Sequence, residues 1–356
     1  MLYGLLLLDN ILLRAGLSFL TALVVSLVAG SWLIRFFHRK NVIEDTTQPD
    51  HAGLNAIQSL KKDVPTMGGL MILAGIVVAT LLWADLKAPT VWIGLLVLVV
   101  LGGAGLVDDY IKLRHKPSRG LTKIQKLVVQ FILGGVVGYL LMRYWNGYLP
   151  VAMAMSWVRI PLTGIWLDFG WWYILWSGFV MAATSNAVNI TDGLDGLAGG
   201  LMLIAMMFMT FLGLWELVSH STGAEFTLFL ENHSVLCACS AGAVLGFLWY
   251  NCNPAQIFMG DTGSLALGGL LAYAGLCMKA EFLLLVVGGV FFIEELTVAM
   301  QIASFKLTKK RVFPITPIHH YFQVHLKWPE QKIVTRAWFL GAFAAFLALL
   351  IFAARD

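Results

Sequence analysis

The sequence predicts an all-α integral membrane protein with about ten transmembrane helices. Of its 356 residues, only 12% are charged and 59% are hydrophobic, and the mean hydropathy is +0.80. A soluble domain is usually about 25% charged. Only helices or closed barrels cross a bilayer, because backbone polar groups find no water there. The long apolar runs lack the two-residue alternation of a barrel strand, so helices are the predicted class.

Ten apolar segments are predicted to cross the membrane, since a spanning helix needs about 20 such residues. They lie at residues 16–37, 67–85, 91–108, 126–145, 171–187, 197–218, 234–250, 264–279, 282–305 and 333–353. The first apolar stretch lacks a basic start and a small-residue cleavage site, so it is expected to be a retained span and not a signal peptide. Residues 1–356 contain no repeat or linker that indicates a second domain.

Lysine and arginine are distributed unevenly over the loops between these segments. Eighteen of the 24 fall on one side of the predicted membrane, and the other six fall on the opposite side. Positive loops face the cytoplasm, so both chain termini are predicted on the outer, periplasmic side. The outward loop at 149–170 is rich in Trp, Leu and Pro, which is typical of an interfacial belt.

Five polar clusters, far apart in the chain, fall on the predicted cytoplasmic side. They lie at residues 65–69, 108–109, 186–197, 251–264 and 319–320. Acidic side chains at a membrane boundary are costly unless water, a cation or a partner receives them. The shared side therefore predicts an active site on the cytoplasmic face.

Asp108 and Asp109 end the third predicted span, directly after the apolar run Val-Leu-Gly-Gly-Ala-Gly-Leu-Val. If the helix continues, Asp108 and Lys112 share one face, and a solvated helix end with an ion pair is the alternative to a functional site. Adjacent carboxylates suit Mg²⁺, which keeps several waters and binds one or two carboxylates together with substrate phosphate.

Asp192 and Asp195 lie three residues apart before the sixth predicted span. Asp195 could simply cap that helix. Asn189 and Asp192 precede the helix, where their side chains can meet a ligand, and Gly193 allows close backbone approach. The stretch therefore indicates a binding turn, with helix capping as the alternative.

Asp261 lies just ahead of the eighth predicted span, beside Gly260 and Gly263. Free N–H groups and the positive end of a helix suit phosphate, but a carboxylate there would repel phosphate unless a metal lies between them. Asp261 is therefore predicted to be a metal ligand, with helix capping as the alternative. Phe258 can stack on a nucleotide base or serve ordinary packing.

His319 and His320 lie in a basic segment at 306–332. Neutral imidazoles can hold a metal and charged ones can bind phosphate, although surface histidines without a function are common. Glu294 and Glu295 interrupt the ninth predicted span, and acids inside a span are functional candidates. Their chemistry assigns them no role at this stage.

Lysines flank the polar clusters. Lys61 precedes residues 65–69, and Lys116 and Lys126 follow the aspartate pair. The positive-inside bias alone accounts for most of them. A phosphate-rich substrate would use some of them.

Taken together, these motifs resemble those of the bacterial phospho-N-acetylmuramoyl-pentapeptide-transferases. The resemblance rests on Pro-Thr-Met-Gly-Gly at 65–69, Asp-Asp-Tyr-Ile-Lys at 108–112, the stretch at 186–197, Phe-Met-Gly-Asp at 258–261 and Pro-Ile-His-His at 317–320. It covers nearly the whole chain. The motif of that family usually carries three consecutive histidines, and here the third position is Tyr321. Only His319 and His320 are therefore carried over.

The resemblance implies a ten-span homodimer in the bacterial cytoplasmic (inner) membrane, with membrane lipid and not nucleic acid around it. It implies transfer of phospho-N-acetylmuramoyl-pentapeptide from a uridine diphosphate carrier to undecaprenyl phosphate. The implied products are lipid I and UMP, and the implied cofactor is Mg²⁺. The implied catalytic residues are Asp108, Asp109, Lys112, Asp261 and His320, with Asp261 as the magnesium ligand.

The resemblance also implies a set of substrate-binding positions. These are Lys61, Thr66, Lys116, Lys126, Asn189, Asp192, Gly193, Leu194, Asp195, Asn251, Phe258, Gln301 and His319. The uridine pocket is implied at Asn189, Asp192, Gly193, Leu194, Asp195 and Phe258.

Three other classes are alternatives on sequence grounds. Transferases of N-acetylglucosamine-1-phosphate to polyprenyl phosphate share the acidic motifs and a His-rich loop, but residues 65–69 and the short last cytoplasmic loop favour the muramoyl enzyme. A cation-coupled transporter predicts acids near mid-span, where only Glu294 and Glu295 fit. Phosphotransferases that use cytidine-diphosphate lipids carry further aspartates downstream, whereas the next acid after Asp195 is Glu216.

Overall fold

A computed structural model describes residues 10–40, 61, 64–114, 120–145, 156–163, 165–219 and 223–354, and the structural statements below concern these residues. This part of the chain is helical apart from one small hairpin. The helices are α1 Ile11–Lys40, α2 Gly69–Trp83, α3 Pro89–Arg114, α4 Lys123–Trp145, α5 Tyr173–Thr191, α6 Leu197–Ser219, α7 Ala224–Asn251, α8 Gly260–Cys277, α9 Glu281–Val287, α10 Gly289–Thr308, α11 Ile318–Val324 and α12 Glu330–Ala353.

Several of these helices are suited to a bilayer. Within the described residues, α1, α3, α4, α6, α7 and α12 are long and apolar enough to cross a membrane, and the bent pair α9 and α10 brings the number to seven only where the pair is counted as one span. The chain is therefore a multi-pass membrane protein, as predicted. Helices α2, α5 and α8, with 15, 19 and 18 residues, cover the other predicted spans, and ten crossings remain a prediction.

Helix α8 forms the centre of the bundle. Every residue from Asp261 to Cys277 is buried, and the helix packs against α2, α3 and α5. Its small residues permit this, because glycine and alanine let neighbouring backbones approach closely. A Cβ atom at Gly269 would lie 2.2 Å from Leu101 on α3, and one at Gly268 would lie 2.7 Å from Ser185 on α5. The end of α8 that begins at Gly260 carries Asp261 into the middle of these helices.

The ninth predicted span is not continuous, so this part of the prediction is wrong. Helix α9 ends at Val287, α10 begins at Gly289, and the two axes differ by 90°. Sharp bends in helices occur at identifiable residues such as glycine, and Gly288 lies at this one. The bend sends α10 in a new direction, which matters for the histidine loop described below.

The loop predicted as an interfacial belt contains regular structure. Strands β1 Trp157–Arg159 and β2 Trp166–Asp168 form an antiparallel hairpin in which Arg159 lies opposite Trp166. The guanidinium of Arg159 lies 5.4 Å from the centroid of the Trp166 ring, a distance at which cation–π attraction operates. The sequence pattern indicated the aromatic residues but not the strands.

Candidate active site

Three buried carboxylates from two helices meet at the beginning of α8. Asp108 and Asp109 come from the last turns of α3, and Asp261 comes from the first turn of α8. Each offers one oxygen, and these three atoms lie within 4.8 Å of one another. We call these three residues the acidic cluster. Asp109 and Asp108 lie 152 and 153 positions before Asp261 in the sequence, so the pair meets Asp261 only through the fold.

Glycines allow the backbones around the acidic cluster to come this close. A Cβ atom at Gly105 on α3 would lie 2.2 Å from the carbonyl oxygen of Asp261, and one at Gly69 on α2 would lie 2.2 Å from the amide nitrogen of Gly263. Neither position can carry a side chain without displacing the neighbouring backbone. Gly260 has a φ of +71°, a left-handed conformation that favours glycine.

Asp109 caps helix α8. Its Oδ1 accepts the N–H of Asp261 at 3.0 Å, and its Oδ2 accepts the N–H and the hydroxyl of Thr262 at 3.0 and 2.7 Å. The first N–H groups of a helix have no partner inside the helix, and the positive end of the helix dipole favours a carboxylate. Both oxygens of Asp109 are therefore engaged in holding the turn that carries Asp261.

Two lysines lie on the other two carboxylates. Lys112 Nζ is 2.8 Å from Asp108 Oδ2 and 3.4 Å from Asp261 Oδ2. Lys126 Nζ is 3.0 Å from the same Asp108 oxygen and also forms an ion pair with Asp261. Helix α3 continues to Arg114, so the predicted shared face of Asp108 and Lys112 is confirmed. The three carboxylates exceed these two ammonium groups by one negative charge.

Amide donors complete the surroundings of the acidic cluster. Asn189 at the end of α5 donates from Nδ2 to Asp261 Oδ1 and to Ser264 Oγ, at 2.8 Å each. The N–H of Leu121 donates to Asp108 Oδ1 at 2.6 Å. The cluster itself offers carboxylate oxygens without imidazole or thiolate, the donor set that hard divalent cations prefer. The residues present therefore fit a divalent metal.

The motif at 65–69 is bound to the start of α8 by its backbone. The N–H of Phe258 donates to Pro65 O at 2.8 Å, the N–H of Gly68 donates to Phe258 O at 2.7 Å, and the N–H of Gly69 donates to Met259 O at 2.8 Å. Thr66 is buried within this segment. A Cβ atom at Gly260 would lie 3.1 Å from Thr66 Oγ1 and 2.6 Å from Asp109 Oδ2, so Thr66 lies beside the acidic cluster.

A second charged group lies at the turn between α5 and α6. Lys61 Nζ is 2.6 Å from Asp195 Oδ1 and 2.7 Å from Glu330 Oε1, and it lies 6.0 Å from the centroid of the Phe258 ring. Glu330 Oε1 also accepts the N–H of Asp195 at 2.6 Å. Asp195 Oδ2 accepts the N–H of Ala255 at 3.0 Å and a bond from the Asn253 amide at 3.0 Å. Both oxygens of Asp195 therefore have partners outside α6.

Asn251 joins the same turn to the loop before α8. Its Oδ1 accepts the N–H of Gly196 at 2.9 Å, and its Nδ2 donates to Ile257 O at 2.9 Å. Gly196 has a φ of +80°, which again favours glycine. Asn251 thus fixes the positions of both segments around Lys61.

The histidine loop faces this turn from the other side. His319 bonds to Glu294 through its backbone N–H and its Nδ1, and a Cβ atom at Gly193 would lie 2.4 Å from His319 Nε2. The Nδ1 of His320 lies 3.0 Å from Gln323 Oε1. Gln301 Oε1 accepts two backbone N–H groups of the loop before α11.

The structure thus distributes the sequence-predicted residues over three neighbouring groups. The group at the acidic cluster consists of Asp108, Asp109, Asp261, Lys112, Lys126, Asn189 and Thr66. The group around Lys61 consists of Asp195, Asn251 and Phe258. The histidine loop and the turn that faces it contribute Gly193, His319, His320 and Gln301. Asp192 and Leu194 lie in the turn that joins these groups. Lys116 lies outside the described residues.

Sequence reasoning missed two kinds of contributor. In the sequence, Thr262 and Ser264 are ordinary residues for a helix start. Only the packing shows that Thr262 bonds to Asp109 and that Ser264 bonds to Asn189. Glu330 follows Pro329 in the first turn of α12, where acids are common for local reasons. No local signal connects Glu330 with Lys61.

Comparison with known proteins adds the following findings. Residues 91–279 match the profile of glycosyl transferase family 4. The phospho-N-acetylmuramoyl-pentapeptide-transferase of Caulobacter vibrioides is 40% identical over 353 residues, covering 96% of this chain and 93% of the relative. Those of Rhodopseudomonas palustris and Chlorobaculum parvum are 39% and 38% identical over 345 and 359 residues, covering 94% and 98% of this chain and 92% and 94% of the relatives.

Proposed function

Because the chain belongs to the phospho-N-acetylmuramoyl-pentapeptide-transferases of glycosyl transferase family 4, we propose that it transfers phospho-N-acetylmuramoyl-pentapeptide from a uridine diphosphate carrier to undecaprenyl phosphate. Lipid I and UMP are the products. The acidic cluster with two lysines on its carboxylates is the observation that carries the proposal. It supplies cations and oxygen ligands where two phosphate groups must meet.

Charge repulsion is the first obstacle to this reaction, since attacker and target are both phosphate anions. Lys112 and Lys126, which pair with Asp108 and Asp261 in this structure, would reduce the repulsion by turning their ammonium groups to the phosphates. Asp261 would hold Mg²⁺, because both oxygens of Asp109 accept backbone N–H groups of α8, whereas the partners of Asp261 are side chains, Asn189 and the two lysines, which can give way to a cation. When bound, Mg²⁺ would neutralise diphosphate charge and stabilise the leaving UMP.

We propose a direct displacement. An oxygen of undecaprenyl phosphate forms a bond to the phosphorus that carries the sugar, the bond from that phosphorus to the bridging oxygen breaks, and UMP leaves with the electron pair. A phosphate monoester has a second pKa of about 6 and is largely ionised at neutral pH, so the attack needs no protein base. Asp108 then serves to orient the two lysines and, through them, the lipid phosphate.

The Lys61 group is proposed to bind the uridine end. Phe258 offers a ring for base stacking, and Lys61 lies between that ring and Asp195. Asp195, Asn251 and Glu330 keep Lys61 and the turn in place. The pocket residues Asn189, Asp192, Gly193 and Leu194 belong to the same segment.

The membrane arrangement is part of the proposal. Ten crossings with both termini outside put the acidic cluster on the cytoplasmic face of the inner membrane, where a nucleotide-activated sugar is available. The excess of lysine and arginine on that side supports this orientation. A homodimer is proposed on the resemblance of the motifs to the family.

A UMP-release assay with purified protein in detergent tests the function. We expect UMP only when UDP-N-acetylmuramoyl-pentapeptide, undecaprenyl phosphate and Mg²⁺ are all present. Release with UDP-N-acetylglucosamine in place of the muramoyl substrate would instead identify the sister activity. A cation-coupled transporter would release no UMP, and either of these outcomes would overturn the proposal.

The metal assignment is tested by Asp261→Ala. We expect this variant to fold, to insert into the membrane and to lose turnover, because it removes the oxygen ligand from the acidic cluster. The matched control is Asp168→Asn in the exposed hairpin, which should keep full activity. Near-normal Mg²⁺-dependent activity of Asp261→Ala would show that another group holds the metal.

A further inference from the structure

Glu294 is an acidic residue inside the bent pair of helices α9 and α10. The sequence alone assigned no role to this residue. Helix α10 buries Phe291, Glu294 and Thr297, so these residues mark its inward face. A buried carboxylate is costly unless it is hydrogen-bonded. The oxygen Oε2 of Glu294 lies 3.3 Å from the backbone nitrogen of His319 and 3.1 Å from its Nδ1. Glu294 is therefore bonded to the histidine loop.

This contact determines which ring nitrogen of His319 faces the candidate site. With Glu294 Oε2 as the acceptor of this contact, the hydrogen is assigned to Nδ1, and Nε2 is the opposite end of the ring. His319 is 1% exposed, and Nε2 is buried without a hydrogen-bond partner among the described residues. It points at Gly193, where an added Cβ atom would lie only 2.4 Å away. A buried polar atom of this kind requires a partner.

The same face of α10 also holds the loop at a second place. Gln301 lies seven residues, or about two helical turns, after Glu294. Its Oε1 accepts the N–H groups of Val312 and Phe313 at 3.0 Å each. The segment that leads from α10 to His319 is thus held to one helix at Val312 and Phe313 and again at His319. The direction of that helix is set by the 90° bend near Gly288.

We propose that Glu294 is a positioning residue that orients His319, so that Nε2 contacts a polar group of the nucleotide-sugar substrate beside Gly193. This inference rests on the proposed function and deepens it. The partner of Nε2 lies on the nucleotide-sugar side, because Gly193 belongs to the turn that carries Asp195 and reaches Lys61. Glu294 itself acts only through the ring.

Kinetics of Glu294→Met test the inference, with Glu295→Met as the matched control on the neighbouring residue. We expect KM for the nucleotide sugar to rise roughly 10- to 100-fold, the usual effect of losing a hydrogen bond that involves a charged group. KM for undecaprenyl phosphate should stay within about twofold. Glu294→Gln keeps an acceptor oxygen, so it should recover most of the loss and show that the fold persists.

A double variant separates action through the ring from general support of the loop. In a His319→Ala background, Glu294→Met should add no further loss, because the ring through which it acts is already gone. A second, multiplied loss in that background would overturn the inference, and so would equal changes in both KM values. UMP release by the wild-type enzyme tests the proposed function separately. If the wild type releases UMP and Glu294→Met has unchanged KM values for both substrates, this inference is wrong and the proposed function stands.

Discussion

The cap that Asp109 places on α8 gives a prediction that separates positioning from chemistry. Asp109→Ala leaves three buried donors without an acceptor, namely the N–H of Asp261 and the N–H and hydroxyl of Thr262. Each unsatisfied buried donor costs about 1–3 kcal/mol. Relaxation and entering water lower the sum, so we expect a loss of about 3 kcal/mol in the free energy of unfolding.

The size of the loss should follow the number of hydrogen bonds that are removed. Asp109→Asn keeps one carbonyl oxygen as an acceptor, and we expect it to cost about 1–2 kcal/mol, within the range for loss of a helix cap. Thr262→Val removes only the hydroxyl donor at nearly constant volume and should cost about 1 kcal/mol. All three should lower turnover in the same order, because each loosens the turn that holds Asp261.

Unfolding in detergent and UMP release, measured on the same preparations, check this series. Asp168→Asn is the control, since Asp168 accepts the N–H of Gly170 at 2.8 Å but lies exposed in the hairpin. It should change stability by less than about 0.5 kcal/mol and leave turnover intact. Wild-type stability of Asp109→Asn together with abolished turnover, and a neutral Thr262→Val, would show that Asp109 acts on the substrate and refute the capping argument.

Two further substitutions test how the site is assembled. Gly105→Ala should reduce turnover about 100-fold or more, because its Cβ atom would lie 2.2 Å from the carbonyl oxygen of Asp261 and a misplacement of about 1 Å can cost that much. Glu330→Gln should raise KM for the nucleotide sugar about 10-fold while KM for undecaprenyl phosphate is unchanged, because Lys61 loses a carboxylate partner at 2.7 Å. UMP release measures both.

Each of these substitutions has a control on the same helix or of the same kind. Gly103→Ala should be neutral, since a Cβ atom there meets nothing within 4 Å, and equal losses at both glycines would contradict the close-approach argument. Glu225→Gln replaces an exposed acid in the first turn of α7 and should leave both KM values unchanged. A Glu330→Gln enzyme with altered KM for the lipid and not for the nucleotide sugar would contradict the role given to Lys61.

The helical fold followed from the sequence because its cause is local. A run of about 20 apolar residues must bond its own backbone in lipid, so most helices could be placed to within a few residues. The bend at Gly288 could not be placed, because a glycine in an apolar run is compatible with a straight helix until its neighbours are known. The hairpin near Trp157 was missed for a different reason, because three-residue strands leave little periodicity.

The residue types of the candidate site could be predicted from the sequence, but the structural role of each residue could not. Asp108 and Asp109 are adjacent, and side chains at successive helix positions point about 100° apart. Which of the two caps α8 and which shares the lysines with Asp261 depends on how α3 packs against α8 through Gly105. Asp195 gave a similar ambiguity, because a helix cap and a partner for Lys61 have the same local sequence.

The turn between α5 and α6 explains how these separate groups become one site. Asn189 reaches Asp261 in the acidic cluster, Gly193 lies against His319, and Asp195 binds Lys61. These residues span the seven positions 189–195, across the end of α5 at Thr191, and Gly196, which follows them directly, has a left-handed backbone. The acidic cluster, the Lys61 group and the histidine loop are therefore joined by one short segment, and a displacement of that segment would move all three together.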